Sequence, residues 1–467
     1  MKPTSVSAGS SSAKSRRRRF GLGLAAATVV SPPAWAGDTE RADIRGSEPV
    51  AGEADRFEIE GSIRARYETY RGGFRPSRAE SEDAIVLRSI LKARYKGKHI
   101  EIGARLQDAR AYLVDQDTPV GTGDVNTLEL VELYAAIALA ADAELTVGRQ
   151  TISLGSKRLV GDPGFRNSTN GFTGARLDWR GDGSFTAFYV LPQQRLPNDR
   201  SALLDNVVEW DRESDDLRFW GALYQRDDIG PFTAEAYVFG LDENDRDDRA
   251  TRNRHLVTPG VRILMEPQRG RLDTEIEAIW QTGSIRSSKA AGAPKQDVDA
   301  HFLHGELGYT LDGEWRPRLA IVGDLASGDD ANGEDYGRFD PLFGPRRELG
   351  PTGLYGPLAR TNLRAIGATI SARPHETVSA DFAYRQLWLD SRSDAFSKTG
   401  VKDPDGRSGR DAGYQIDGRL RWKVIPGSLS FEAGAALLGK GRLFDLAPNS
   451  ANWRDTVYGY SSVQYNF

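Results

Sequence analysis

Arginine side chains recur at alternate positions in several segments of this 467-residue chain. In a β-strand, residues two apart point to the same face, so a pair such as Arg64 and Arg66 would present two guanidinium groups side by side. A guanidinium stays positively charged at neutral pH and donates several hydrogen bonds, which suits it to binding anions. Eight arginines share such a polar-face position in predicted strands: Arg64, Arg66, Arg88, Arg94, Arg105, Arg385, Arg419 and Arg421.

A second group of cations lies between two predicted strands. Lys157, Arg158 and Arg166 fall in a stretch that also contains four glycines. If this stretch folded into a pore, the three side chains would narrow it with positive charge, and rings of Arg or Lys select anions. The alternative is an ordinary solvated loop.

Acidic residues concentrate in a different part of the chain. Five carboxylates share the polar face of the ninth to twelfth predicted strands: Glu235, Asp273, Glu275, Glu277 and Glu306. We therefore expect a lumen with one basic wall and one acidic wall. The alternative is that the arginines pair with Glu60, Asp381, Asp417 or Glu432 in a structural network, and the sequence leaves both interpretations open.

Eighteen segments with strand-like alternation carry these side chains. They alternate apolar and polar residues, which is typical of strands with one apolar and one polar face. The predicted strands are 57–70, 84–95, 98–110, 126–139, 144–151, 172–180, 184–191, 217–226, 232–241, 256–266, 271–282, 299–311, 316–326, 361–373, 377–390, 411–424, 428–440 and 456–467.

The connections between these segments alternate in length. Eight are short, such as 96–97 and 425–427, and the others run from about 13 to 34 residues, the longest being 327–360. Bacterial outer-membrane barrels have short periplasmic turns and long extracellular loops. The pattern predicts an all-β fold over 57–467, an 18-stranded antiparallel transmembrane β-barrel, which is wide enough for an aqueous channel.

The last twelve residues, Thr456 to Phe467, read TVYGYSSVQYNF. Val463, Tyr465 and Phe467 share one face. An apolar strand edge at a chain end invites aggregation in a soluble domain, whereas a closed barrel has no free edge. The segment resembles the closing strand of bacterial outer-membrane barrels, which implies recognition by the barrel-assembly machinery.

The opposite end predicts export from the cytoplasm. A basic region with Arg16 to Arg19 precedes a short apolar run, and Ala34-Trp35-Ala36 supplies the small residues of a cleavage site. We expect a signal peptide at 1–36 and a flexible periplasmic tail at 37–56. Cleavage would remove six positive charges and take the formal charge from −4 to −10.

Sequence signals for catalysis are weak. The stretch from Gly434 to Lys440, GAALLGK, starts like a phosphate-binding loop, but Gly441 stands where Ser or Thr is needed. His301 and His304 would face opposite sides of a strand, and the chain has no cysteine. We therefore expect no enzyme activity, no metal, no cofactor and no nucleic-acid partner.

Two blocks of sequence resemble a known family. The segment from Gly148 to Leu177, GRQTISLGSKRLVGDPGFRNSTNGFTGARL, and the later Phe339-Asp340-Pro341-Leu342-Phe343 followed by Thr361-Asn362-Leu363 are similar to motifs of the alginate export family of outer-membrane porins. The resemblance implies a porin, held among outer-membrane lipids, for passive transport of anionic saccharides, including export of an acidic polysaccharide such as alginate. The alternatives are a general or uptake porin for small solutes, or a secreted β-rich carbohydrate-active enzyme.

Overall fold

The computed structural model describes residues 55–246, 249–330, 333–450 and 454–467. The predicted signal peptide, 1–36, and nearly all of the predicted tail, 37–56, lie outside the described residues. Both stay predictions.

All eighteen predicted strands are present, with ends shifted by at most four residues. They are β1 Arg56–Arg71, β2 Ser81–Lys96, β3 Ile100–Tyr112, β4 Asn126–Ala140, β5 Ala143–Gln150, β6 Phe172–Arg180, β7 Ser184–Pro192, β8 Leu217–Ile229, β9 Phe232–Glu243, β10 His255–Met265, β11 Leu272–Arg286, β12 Lys295–Thr310, β13 Arg318–Ala326, β14 Leu363–His375, β15 Val378–Trp388, β16 Asp411–Ile425, β17 Leu429–Lys440 and β18 Thr456–Asn466.

The sheet closes on itself. Each strand is antiparallel to its sequence neighbours, and β1 also pairs with β18 from Ser62 opposite Asn466 to Arg71 opposite Val457. The backbones of Gly61 and Phe467 exchange two hydrogen bonds of 2.8 and 3.0 Å. The terminal strand is therefore the closing strand, as predicted, and the barrel has no exposed edge.

Side chains alternate between an apolar outer face and a polar inner face. In β1, Ile63 is 52% exposed, while its neighbour Arg64 is 6% exposed. In β18, Val463 and Tyr465 lie outside, whereas Tyr458 and Tyr460 are buried inside. An outer surface of exposed Ile, Leu, Val and aromatic side chains would be unfavourable in water and is the surface that a lipid environment requires.

None of the helices in the four described ranges is long and apolar enough to cross a membrane.

Short and long connections alternate around the barrel, as predicted. The short turns at one end are 97–99, 141–142, 181–183, 230–231, 266–271, 311–317, 376–377 and 426–428. The loops at the other end, numbered 1 to 9, are 72–80, 113–125, 151–171, 193–216, 244–254, 287–294, 327–362, 389–410 and 441–455. Loop 6 is shorter than expected, because β11 and β12 both continue beyond their predicted ends.

The described residues of the long loops include three short helical turns. They are α1 Arg200–Leu204 in loop 4, a 3-10 turn Arg347–Leu349 in loop 7, and α2 Arg442–Leu446 in loop 9. The side chain of Asp199 caps α1 by accepting a hydrogen bond from the backbone N–H of Ala202. None was predicted, since segments this short carry no helical period.

A cluster of aromatic rings lies on the inner face of the barrel. Phe343 of loop 7 packs against Phe172 and Phe219, with ring centroids 5.3 and 5.0 Å apart, and Phe188 and Phe239 extend the cluster along neighbouring strands. All but Phe343 are buried. Loop 7 is thus fixed to the inner wall by an apolar contact as well as by polar ones.

The alternation of faces makes a direct prediction at two adjacent residues. Arg in place of Ile63 would put a charge into hydrocarbon near mid-strand and should cost about 2–4 kcal/mol of unfolding free energy. Ser62→Arg, one residue away on the wet inner face, is the matched control and should cost far less. Equilibrium urea unfolding in lipid vesicles measures both, and equal costs would contradict the assignment of the faces.

Candidate functional site

Loop 3, residues 151–171, crosses the interior of the barrel. On one side, Nη1 of Arg64 in β1 donates to the carbonyl oxygen of Gly164 at 2.9 Å. On the other side, the hydroxyl of Ser156 donates to Glu277 of β11 at 2.9 Å. Because β1 and β11 lie on opposite sides of an 18-stranded ring, loop 3 divides the lumen.

Loop 7, residues 327–362, joins loop 3 inside the barrel. The backbone N–H of Phe343 donates to the carbonyl of Leu159 at 2.9 Å, and Val160 and Phe343 form a parallel β-bridge. Loop 7 also reaches the wall, where the N–H of Leu354 donates to Glu68 at 2.8 Å. The two loops therefore form one inward partition rather than two separate flaps.

A buried ion network fixes the partition to the acidic wall. Arg158 of loop 3 contacts Glu275, Glu277 and Glu348 at 2.5, 2.6 and 3.0 Å, and Arg360 also pairs with Glu348. Burial by itself would lower the pKa of Arg158, but the three carboxylates outweigh it and raise this pKa. Burial would raise the pKa of Glu348, but Arg158 and Arg360 hold it at about 2.

The predicted acidic wall is present and most of its charge is compensated. Besides Arg158, Arg262 contacts Glu235 and Glu275 at 3.0 and 2.9 Å. Arg318 pairs with both Asp273 and Glu306. Three arginines thus meet the five carboxylates, so most of the negative charge of the wall is compensated and a formal excess of two carboxylates is left.

Four of the predicted arginines bind loop 3. Arg64, Arg66 and Arg88 donate to carbonyl oxygens of residues 164–166 over 2.5–3.3 Å. Arg105 pairs with Asp162 at 3.1 Å. All four point inward, and in this structure their donors hold the partition.

The other predicted strand arginines pair with carboxylates. Arg94 contacts Glu58 and Glu60, both at 3.1 Å. Arg385 pairs with Asp417 at 3.0 Å, and Arg419 and Arg421 share Asp381 at 2.9 and 3.5 Å. The structural network considered above is therefore observed for Glu60, Asp381 and Asp417, whereas Glu432 accepts from Tyr460. A role of these arginines in solute passage stays a prediction.

The three predicted loop cations have separate surroundings. Lys157 is buried within loop 3, at 8% exposure, and Arg158 belongs to the ion network. Arg166 lines a cavity of about 1390 Å³ on the long-loop side of the partition. Of the three, Arg166 alone faces this cavity.

The cavity is strongly basic. Residues from loops 1 to 8 surround it, and its lining in the described residues has thirteen cations against four carboxylates. The cations are Arg75, Arg78, Arg166, Arg195, Arg212, Arg246, Arg249, Arg252, Arg254, Lys289, Arg338, Arg346 and Lys398, and the acids are Asp124, Glu209, Glu243 and Asp340. We call it the basic cavity.

Arg166, Arg195 and Arg346 are among the arginines of the basic cavity that have no carboxylate within 4.0 Å in the described part of the chain. Arg166 donates to the Ser168 carbonyl at 3.0 Å, Arg195 to Asn170 at 2.5 Å, and Arg346 to the Leu358 carbonyl at 2.9 Å. Burial, and then Arg195, lower the pKa of Arg166, while burial and Arg360 lower that of Arg346 to about 10. Desolvated cations without a counter-ion form a site that a bound anion would stabilise.

Sequence reasoning found one of these thirteen cations, Arg166. The others lie in loops, which carry no period from which the direction of a side chain can be read. The available signal was compositional: the long connections are rich in Arg and Gly.

The contact between the two inward loops depends on Gly344. A methyl group at this position would overlap the carbonyl oxygen of Arg158. Gly344→Ala should therefore separate loop 7 from loop 3, weaken the Phe343–Leu159 hydrogen bond by about 0.5–1.5 kcal/mol, and speed amide exchange at Phe343 by roughly twofold to tenfold.

Gly164→Ala is the matched control in loop 3, because a methyl group there has no atom within 4 Å. Its Phe343 amide should exchange at the wild-type rate in the same mass-spectrometric experiment. Equal exchange in the two variants would show that Gly344 does not hold the loops together.

Comparisons with known proteins agree with this architecture. Residues 55–455 match the family described as Alginate export. The fold is similar to OccK8 (OprE) of Pseudomonas aeruginosa, at 13% identity, TM-score 0.57, and 88% and 98% coverage of this chain and of that one. The fold is also similar to OccAB1 of Acinetobacter baumannii, at 10% identity and a TM-score of 0.60. The match covers 90% of this chain and 99% of OccAB1.

A third similar structure is OccK2 (OpdF) of Pseudomonas aeruginosa, which was solved in complex with glucuronate. It is 13% identical, with a TM-score of 0.56, and the match covers 88% of this chain and 98% of OccK2. No curated protein sequence matches the chain. The family match spans most of the chain, and the closed 18-stranded barrel with an apolar outer face is the fold of these porins. The chain belongs to the alginate export family and is a β-barrel porin of the outer membrane, with its short turns in the periplasm and its long loops outside.

Proposed function

We propose that this porin conducts anionic saccharides whose negative charges are carboxylates, as in uronic acids and their polymers. The observation that carries the proposal is the group of unpaired arginines, Arg166, Arg195 and Arg346, at the wall of the basic cavity. The family's match to alginate export and the glucuronate in OccK2 support the same solute class.

The mechanism is compensation of charge along a wet path. A guanidinium can bind a carboxylate through two parallel hydrogen bonds, which replaces part of the water that the anion loses in a pore. Polar side chains at the same wall, Gln193, Gln194 and Tyr336, can bond to sugar hydroxyls. Many cations of similar strength, rather than one tight site, let the solute leave as well as enter.

The strand arginines have a different role in this proposal. Arg64, Arg66 and Arg88 position loop 3 through its carbonyls, and loop 3 carries Arg166 to the cavity wall. The charges of Arg64 and Arg88 add to the positive potential of the lumen, because carbonyl acceptors do not cancel them, whereas Arg66 also pairs with Glu68 at 2.7 Å. Arg94, Arg385, Arg419 and Arg421, which pair with carboxylates, contribute less.

A general porin for small solutes is the alternative that the cavity disfavours. An excess of nine cations over carboxylates around one cavity would concentrate anions and repel cations, which a pore without charge preference does not need.

We further propose that the protein acts as a channel without catalytic activity. The direction of transport follows from the solute gradient.

We also propose three features of biogenesis and placement. Residues 1–36 act as a signal peptide, the closing strand β18 is read by the barrel-assembly machinery, and the outer face contacts membrane lipid. The second and third rest on the apolar face of β18 and of the barrel, where Phe467 is 58% and Ile321 is 61% exposed.

Removal of the unpaired cations should weaken anion preference. The triple variant Arg166→Gln, Arg195→Gln and Arg346→Gln should shift the reversal potential in a potassium chloride gradient towards the cation value and weaken block by sodium glucuronate by roughly tenfold or more. Both are measured with purified protein in planar bilayers.

The matched control removes the same charge at the periplasmic end. Arg56, Arg226 and Arg269 are exposed and paired with Glu58, Asp228 and Asp312, so their replacement by Gln should leave both measurements near wild type. If the two triple variants were indistinguishable, the basic cavity would not be the selective element.

The basic cavity should also respond to pH through Asp124. Burial, and then Glu68, raise the pKa of Asp124 to about 6. This carboxyl therefore takes up a proton as the pH falls from 7 to 5, which removes a negative charge from the cavity wall. Anion preference, measured as the reversal potential, should rise over this interval.

Asp124→Asn should show the strong anion preference at pH 7 and lose the change between pH 7 and 5. Asp228→Asn, at the periplasmic rim beside Arg226, is the control and should keep the wild-type profile. An unaltered profile in Asp124→Asn would remove this residue from the pH response.

A further inference from the structure

Asn170 of loop 3 lies between two of the unpaired arginines of the basic cavity, Arg166 and Arg195. Its amide oxygen accepts from Nη2 of Arg166 at 2.7 Å and from Nη1 of Arg195 at 2.5 Å. Its amide nitrogen donates to the carbonyls of Phe343 at 3.0 Å and Gly161 at 3.4 Å. Two donors on one side and two acceptors on the other fix the orientation of the amide group.

One neutral oxygen therefore holds two guanidinium groups together. Arg166 belongs to loop 3 and Arg195 to loop 4, and the paired strands β6 and β7 bring these loops together, with the N–H of Gln193 donating to the carbonyl of Gly171 at 2.9 Å. Two cations repel each other in the absence of a common acceptor, and burial lowers the pKa of both. Nε of Arg195 is buried and has no hydrogen-bond partner in the described residues, which leaves this group short of an acceptor.

The partition contains a similar bridge with the opposite electrostatic result. Glu348 accepts from Arg158 and from Arg360, one from each inward loop, and its carboxylate supplies the counter-charge that both need. At the cavity wall, Asn170 makes the same two-arginine bridge with an uncharged side chain. The first arrangement locks the loops, and the second leaves two positive charges facing a cavity.

We propose that Asn170 is the specificity-determining residue of the basic cavity: it positions Arg166 and Arg195 as a pair and, because it is neutral, leaves their charge available to a carboxylate of the solute. This inference rests on the proposed function. A bound carboxylate would occupy the donors that Asn170 does not use, such as Nη1 of Arg166, for which the described residues provide no acceptor.

The isosteric substitution Asn170→Asp adds a negative charge and keeps the acceptor that positions the two arginines. An aspartate oxygen can still accept from both arginines, but it neutralises them. Half-block by sodium glucuronate in planar bilayers should then require a roughly tenfold higher concentration, and the reversal potential should move towards the cation value. Asn170→Ala removes the acceptor without adding charge, so it should weaken glucuronate block while the reversal potential stays anion-selective.

Asn198→Asp is the matched control, because Asn198 lines the same cavity and is exposed, but it makes no hydrogen bond to Arg166 or Arg195. It adds the same charge and should change half-block by no more than roughly threefold. Heat-modifiable gel mobility confirms that each variant is a folded barrel. If Asn170→Asp did not fold, Asn170→Ala would still test whether Asn170 positions the two arginines. Glucuronate block at the wild-type concentration in Asn170→Ala would show that it does not.

Three outcomes contradict the inference. Wild-type behaviour of Asn170→Asp would show that the solute does not bind the Arg166–Arg195 pair. Equal effects of Asn170→Asp and Asn198→Asp would show that glucuronate block depends only on the net charge of the cavity. Equal effects of Asn170→Asp and Asn170→Ala on the reversal potential would show that the neutral charge of Asn170 does not matter. Its role would then be only structural, through its hydrogen bond to Phe343 of loop 7. Failure of the proposed function differs from all three, since the wild-type channel itself would then lack anion preference.

Discussion

The need to pair every backbone N–H and C=O group away from water determines this structure. In hydrocarbon an unpaired group costs several kcal/mol, so strands can cross only as a closed sheet. The hydrogen bonds between Gly61 and Phe467 complete that closure, with ten residue pairs joining β1 to β18. Once the sheet is closed, alternate side chains must face lipid, and the remaining ones must face a lumen. The polar composition of the chain, with a mean hydropathy of −0.51, follows from this division.

An 18-stranded ring is too wide for its own side chains to fill, and loops 3 and 7 fill part of it. Their positions depend on buried charges that each contact an opposite charge, because an unpaired buried charge would destabilise the partition by several kcal/mol. Arg158 meets three carboxylates, two of them from β11, and Glu348 meets two arginines. The acidic wall thus serves as the anchor for a basic loop. Arg158 of the loop, together with Arg262 and Arg318, compensates most of the charge of its carboxylates.

The alternation of apolar and polar residues along the sequence predicted the barrel, its eighteen strands and the inward direction of the strand arginines. It could not predict which partner each arginine meets. Arg158 and Glu275 are 117 residues apart in sequence, and their contact depends on where loop 3 goes after β5 ends. The unpaired arginines were harder still: Arg166, Arg195 and Arg346 come from three loops, and nothing local distinguishes them from solvated surface charges. A residue such as Arg64 was assigned to the lumen from its parity, yet its donors are occupied by loop 3.

The contrast between paired and unpaired cations explains how a chain with net negative charge can present a positive pathway. Charges more than a Debye length apart, about 8 Å at physiological salt, are largely screened, so the total charge has little effect on a solute inside the cavity. A carboxylate beside a guanidinium cancels its field at short range, whereas a carbonyl or amide oxygen orients the group and leaves the charge in place. Arg64, Arg166, Arg195 and Arg346 all bond to such neutral acceptors. Selectivity therefore depends less on how many arginines the lumen contains than on which acceptor each of them meets.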